Sequence, residues 1–133
     1  MASFVSSNLD HEVRDNFVVF KVDAKLRFES AEVGHRWLFQ MVFMEADPMK
    51  DDKLFGVPAS LAFGDPSAGI IREYFVPSKE EIELSFEKEL PAQHVDTEPG
   101  KEEVYANLEV KPLGGPEGFV PAKTRTNITE VDV

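Results

Sequence analysis

From Val18 to Phe28 the chain alternates without a break. Val18, Phe20, Val22, Ala24, Leu26 and Phe28 share one parity, and Lys21, Asp23, Lys25, Arg27 and Glu29 hold the other. A period of two puts one row of side chains on each face of an extended strand, so this stretch predicts a strand with one buried and one wet face. After a short turn over Ser30 to Gly34 comes a second run, with Trp37, Phe39, Met41 and Phe43 on one face and Leu38, Val42 and Met44 on the other. Its aromatic and β-branched content favours strand over helix. The two runs are expected to pair as a hairpin around which shorter strands assemble. A strand apolar on both faces is covered by its own domain or offers a patch to a partner, which makes Leu38, Val42 and Met44 the candidate interaction face.

Residues 1–15 are polar and poorly patterned and are expected to be a flexible tail, leaving 16–133 as one domain. Leu54 to Phe63 reads as a third strand in which Pro58, which cannot donate to a ladder, argues for an edge position or a bulge. Ile70 to Val76 is a fourth. Ile82, Leu84 and Phe86 alternate with glutamates in a fifth, Val104 to Val110 alternate in a sixth, and Thr124 to Val133 make a seventh. Between them lie the polar turn at 47–52, an acidic loop at 91–101, and LGGPEGFVP at 113–121, too rich in Gly and Pro for regular structure. These elements predict an all-β fold, a single antiparallel β-sandwich of about seven strands. If every connection is a simple reversal, the turns at 30–34, 64–69 and 91–101 gather at one end, and those at 47–52, 77–80 and 112–121 at the other.

Seven strands in this length, the sixth reading VYANLEVKP, resemble an immunoglobulin or fibronectin type III sandwich in architecture. The paired cysteines of the immunoglobulin pattern are absent. Tyr105 is in phase with Asn107 and Glu109, hence outward, where a corner tyrosine shares the inward parity. Trp37 lies on the second run, where the family places its tryptophan on the third strand. The resemblance implies a fold and no activity.

Composition removes several function classes. With 14 Lys and Arg against 25 Asp and Glu, the formal net charge is −11, which disfavours nucleic acid and anionic lipid. The chain has no cysteine, so thiol catalysis, zinc–thiolate sites and disulfides are excluded. The opening MASFVSSNLDHEV has neither the basic nor the apolar region of a secretory signal. No run approaches the roughly 18 apolar residues of a membrane helix. The expectation is therefore a cytoplasmic protein without membrane insertion, or a secreted one if this is a mature form. Asn127-Ile128-Thr129 matches a glycosylation sequon that carries no weight without a signal.

No nucleophile elbow or glycine-rich phosphate loop occurs, so no catalytic residue is assigned and no cofactor is implied. Glu45, Asp47, Asp51 and Asp52 cluster as calcium-type oxygen ligands, although Lys50 and Lys53 interrupt them. His35 and His94, with Asp65, Asp96 and Glu98, would make a divalent-metal centre for a metal-dependent enzyme if they converged. Tyr74 and Tyr105 are candidates for a carbohydrate platform; Trp37 and Phe75 fit core packing better. The leading expectation is a non-enzymatic module acting through contact with a protein partner or with itself as a homodimer. The alternatives are calcium or carbohydrate binding and the histidine-based enzyme.

Overall fold

The alternating run at Val18 to Phe28 is the centre of one sheet of the computed structural model. That model describes residues 1–46, 52–53, 70–95, 100–116 and 118–132. Its elements are β1 (Ser3–Arg14), β2 (Phe17–Arg27), a 3-10 turn (Ser30–Glu32), β3 (Trp37–Glu45), β4 (Asp52–Lys53), β5 (Ile70–Phe75), β6 (Glu81–Pro91), the short helix α1 (Ala92–Val95), β7 (Glu102–Pro112), β8 (Ala122–Arg125) and β9 (Thr129–Val131). Two antiparallel sheets form. One has the order β1-β2-β6; the other has β3 beside β7 at its centre, with β4 and β5 on the outer edge of β3 and β8 and β9 on the outer edge of β7. The molecule is the expected antiparallel β-sandwich.

Two expectations are corrected. The supposed tail at 1–15 contains β1, which pairs with β2 over its length through a two-residue turn at Asp15 and Asn16. Asp15 takes φ 51, a conformation that short polar side chains tolerate. Pattern reading misses β1 because of its inward row, Ser7, Leu9 and His11, where Leu9 alone is buried and apolar. The second correction concerns the hairpin. β2 and β3 belong to different sheets, so the turn between them is a crossover, and the true neighbours of β2 are β1 and β6. With β1 counted, Trp37 stands on the third strand.

The expected third strand, 54–63, lies outside the described residues. β4 and β5 run the same way along β3, with Lys53 opposite Met44 and Ile70 opposite Val42, and so act as one interrupted edge strand. The predicted seventh strand is likewise two pieces, β8 and β9, interrupted at Thr126. There the Thr126 backbone N–H donates to Ala106 O at 2.9 Å, and its Oγ1 accepts the Ala106 N–H at 2.9 Å.

Inward rows from both sheets make the core: Val18, Phe20, Val22, Ala24 and Leu26 of β2 face Trp37, Phe39, Met41 and Phe43 of β3, all at most 2% exposed. Phe20 and Phe43 approach to 4.9 Å between ring centroids, and Phe39 stacks on Phe86 at 4.6 Å and 11°. Burying each such side chain contributes about 1.5–3 kcal/mol, which drives the two sheets together.

Candidate functional site

The register of the four-position sheet places three rows of side chains on its outer face. The first row runs Tyr74, Leu38, Lys111; the second Arg72, Gln40, Glu109, Lys123; the third contains Val42, Asn107 and Arg125. Alternation along β3 turns Leu38, Gln40, Val42 and Met44 away from the core, and all four are partly buried. The predicted interaction face is therefore a row along β3, apolar but for Gln40, with Arg72 of β5 on one side and, beyond β7 on the other, Lys123 and Arg125 of β8. Gln40, Val42, Arg72, Asn107, Glu109 and Lys123 line an open groove of about 520 Å³ across the middle of the face.

Polar contacts on the face are charge-assisted. Glu109, whose side chain is 19% exposed, holds Lys111 Nζ at 3.2 Å and Lys123 Nζ at 3.3 Å. The Arg36 guanidinium lies over the Tyr74 ring at 4.9 Å, and that of Arg125 over Tyr105 at 3.9 Å. Cations on aromatic faces are attracted by the ring quadrupole, and the rings in turn order the long side chains.

The two predicted platform tyrosines separate. Tyr74 is 61% exposed, whereas Tyr105 is 3% exposed beneath Arg125. They pair with Leu38 and Met44, six positions apart on β3, which is about 20 Å along a strand. Tyr105 does point outward as its parity predicts, and no stacking surface remains on it. Trp37 is in the core, and Phe75 packs against it.

The proposed metal groups fare differently. Glu45 is on the inward face of β3 at 9% exposure, and Asp52 pairs with it through the backbone. Asp47 and Asp51 lie outside the described residues, as do Asp65, Asp96 and Glu98. His35 and His94 do not converge. The turn carrying His35 sits beside Pro112, while α1, which carries His94, lies at the opposite end, beside the start of β7. The span of β3, about 26 Å for eight steps, separates them. The predicted sorting of loops fails because β4 and β5 are one strand position. Among the described residues, one end in fact gathers 28–36, 76–80, 112–116 and 118–121, and the other 14–16, 46, 91–95 and 100–102. Among the described residues no group of three or more His, Asp or Glu is placed to hold a metal ion.

Arg36, Arg72, Gln40, Asn107 and Lys123 were not singled out by sequence reasoning. The signal was available in the parity of β5 and β7, where Arg72 and Tyr74, and Asn107, Glu109 and Lys111, fall on the outward positions.

No helix among the described residues is long and apolar enough to cross a membrane. No protein-family model matches the sequence, and no curated protein matches it at a significant level. Among solved structures, the chain is similar to part of a glycosyl hydrolase family 2 member from Bacteroides cellulosilyticus DSM 14838. The identity is 8% and the TM-score 0.56, over 98% of this chain and 15% of that one. The chain thus spans 15% of the hydrolase's length, and the likeness shows the fold alone. The solution structure of R. palustris CsgH matches 92% of this chain and 90% of its own at 8% identity, with a TM-score of 0.38.

Proposed function

We propose that this is a non-enzymatic β-sandwich module, immunoglobulin-like in architecture, that works by protein–protein contact through the outer face of its four-position sheet. The carrying observation is the row Leu38, Val42 and Met44, still partly exposed beside a 61% exposed Tyr74. Tyr, Met and Arg are the residue types enriched where proteins meet, because they bury large area at small entropic cost. Trp37 on the third strand supports the immunoglobulin-like reading.

Val42→Glu places a charge in the middle of the apolar row, and Lys21→Glu places one on the outer face of the other sheet as a control. Affinity capture with wild type and both variants should give partners lost with Val42→Glu and retained with Lys21→Glu. Partners indifferent to Val42→Glu would move the function to another surface. A carbohydrate reading is favoured by the exposed Tyr74 and by the amides of Gln40 and Asn107 in the groove further along the same face, and screening against a glycan array tests it.

A further inference from the structure

We infer that the partner this face accepts is an acidic protein segment and not a second copy of the chain, an inference that rests on reading the face as a protein-contact surface. The middle of this face differs in charge from the molecule as a whole. The chain as a whole carries −11. Yet across the three outer rows, with Arg36 over Tyr74, the cations are Arg36, Arg72, Lys111, Lys123 and Arg125, and the carboxylate is Glu109. Glu109 is already held by two ammonium groups. On the other sheet the exposed Glu81, Glu83, Glu87 and Glu89 of β6 lie beside Lys21, Lys25 and Arg27 of β2, and Lys25 and Arg27 pair with Glu81.

A basic face on an acidic protein attracts an oppositely charged partner and repels most of its own surface. Two copies meeting over these three rows would oppose five cations to five with one carboxylate, Glu109, on each; the exposed Glu103 and Glu130 lie beyond the Met44–Tyr105 pair, toward one end of the same sheet. Docking onto the β6 side of another copy would satisfy charge and leave the apolar row against glutamates. The surface that fits has a row of aliphatic side chains bordered by carboxylates on both sides, seated over Leu38, Val42 and Met44 between Arg72 and Lys123. Aliphatic side chains in the middle of the face, and a Tyr105 ring covered by Arg125, favour a polypeptide over a sugar, which stacks on open aromatic rings.

The test uses the full chain and two synthetic peptides. Both carry three leucines at alternate positions; one is flanked by glutamates and the other by lysines. In an NMR titration, the glutamate peptide should shift the amide signals of Leu38 to Met44, Arg72 to Tyr74 and Asn107 to Lys111. Its affinity should fall roughly tenfold between about 0.05 and 0.3 M salt. The double variant Arg72→Glu/Lys123→Glu should abolish these shifts while keeping the wild-type pattern of core signals. Equal binding of the lysine peptide overturns the acidic partner and leaves the contact face standing. Binding of neither peptide at millimolar concentration overturns both readings. Binding of polygalacturonate in place of the peptides overturns the inference in favour of an anionic glycan. A dimer in sedimentation that Val42→Glu dissociates overturns it in favour of a second copy.

Discussion

The side-chain amide of Asn127 pairs with the backbone of Leu9 as a strand would. Its Oδ1 accepts the Leu9 N–H at 2.8 Å, and its Nδ2 donates to Leu9 O at 2.9 Å. Ser7 Oγ donates to Arg125 O at 3.3 Å, and His11 Nδ1 meets Thr129 Oγ1 at 2.6 Å, all three contacts at the same sequence offset of 118. A constant offset means that β1 runs parallel to the segment joining β8 and β9. Side chains replace the backbone ladder there and tie the edge of one sheet to the edge of the other. The Asn and Thr of the sequon triplet are both used in this contact, so the triplet has a packing explanation.

Asn127→Ala removes both bonds and leaves two backbone groups of a nearly buried residue without partners. We expect a loss of about 1–3 kcal/mol in denaturant unfolding and faster hydrogen exchange at the Leu9 amide. Asn127→Asp keeps the acceptor and sets a carboxylate oxygen against the Leu9 carbonyl, so it should lose a comparable amount. Wild-type stability in either variant would show that the contact is incidental.

A second cluster closes the end of the core. Phe119 stacks on Trp37 at 6.0 Å and 20°, and meets His35 edge-on at 5.1 Å. Gly115, at φ +87, lets the loop pass: a Cβ there would lie 3.0 Å from the Phe119 ring and 3.2 Å from His35 Nδ1. Phe119→Ala should cost about 1–3 kcal/mol, since the ring is partly buried. It should also red-shift the emission of Trp37, the one tryptophan in the chain and fully buried in the wild type. Gly115→Ala should produce a smaller shift of the same sign. Unchanged emission in Phe119→Ala would remove Phe119 as the cover of Trp37.

The strands legible from sequence are those in which one face is apolar throughout: β2, β3 and β7 follow a period of two over most of their length. β1 is illegible because its inward row meets the Arg125 carbonyl and the Thr129 hydroxyl, and that surface asks for Ser7 and His11 instead of aliphatic residues. The hairpin expected of β2 and β3 fails for a different reason. Periodicity reports which face is buried and says nothing about which strand lies alongside. At the candidate site the apolar residues were visible as a departure from alternation. The basic residues around them were not, because Arg72 or Lys123 on a wet face looks the same whether or not its neighbours share its sign.

Cross-strand ion pairs on the outer face of the β1-β2-β6 sheet set an acid-side pH dependence. Lys25 Nζ lies 3.2 Å from Glu81, and Arg27 reaches the same carboxylate at 3.5 Å. The hydrogen bond from Lys25, then its charge, hold the Glu81 carboxyl below its ordinary value of 4.5. A depressed pKa means that the paired carboxylate adds stability above the ordinary range and loses it as pH falls through the lowered value. Both partners are solvent-exposed, so the effect is small. Glu81→Gln should leave the melting temperature at pH 7 nearly unchanged and flatten its decline below about pH 4.5. An equally steep decline in the variant would assign the acid sensitivity to other carboxylates.

The crossover between the sheets depends on a buried carboxylate. Glu32 is 1% exposed; its Oε1 accepts the Glu29 N–H at 2.8 Å and its Oε2 the Ala2 N–H at 3.1 Å, while its backbone oxygen accepts the Trp37 indole N–H at 3.4 Å. One side chain thus fixes the start of the 3-10 turn and the strand end beside it, in the segment that carries the chain from β2 to β3. Glu32→Ala would leave both N–H groups without their acceptor and open a cavity, at a cost of about 2–4 kcal/mol. Glu32→Gln keeps one acceptor oxygen and turns an NH2 toward the other donor, so it should lose roughly half as much. Hydrogen exchange separates this from a general loss of packing. The amides of Ala2 and Glu29 should lose protection first, with those of Phe20 and Phe43 unchanged until global unfolding. Uniform loss of protection across the core in Glu32→Gln would show that the carboxylate supports the whole fold and not the crossover alone.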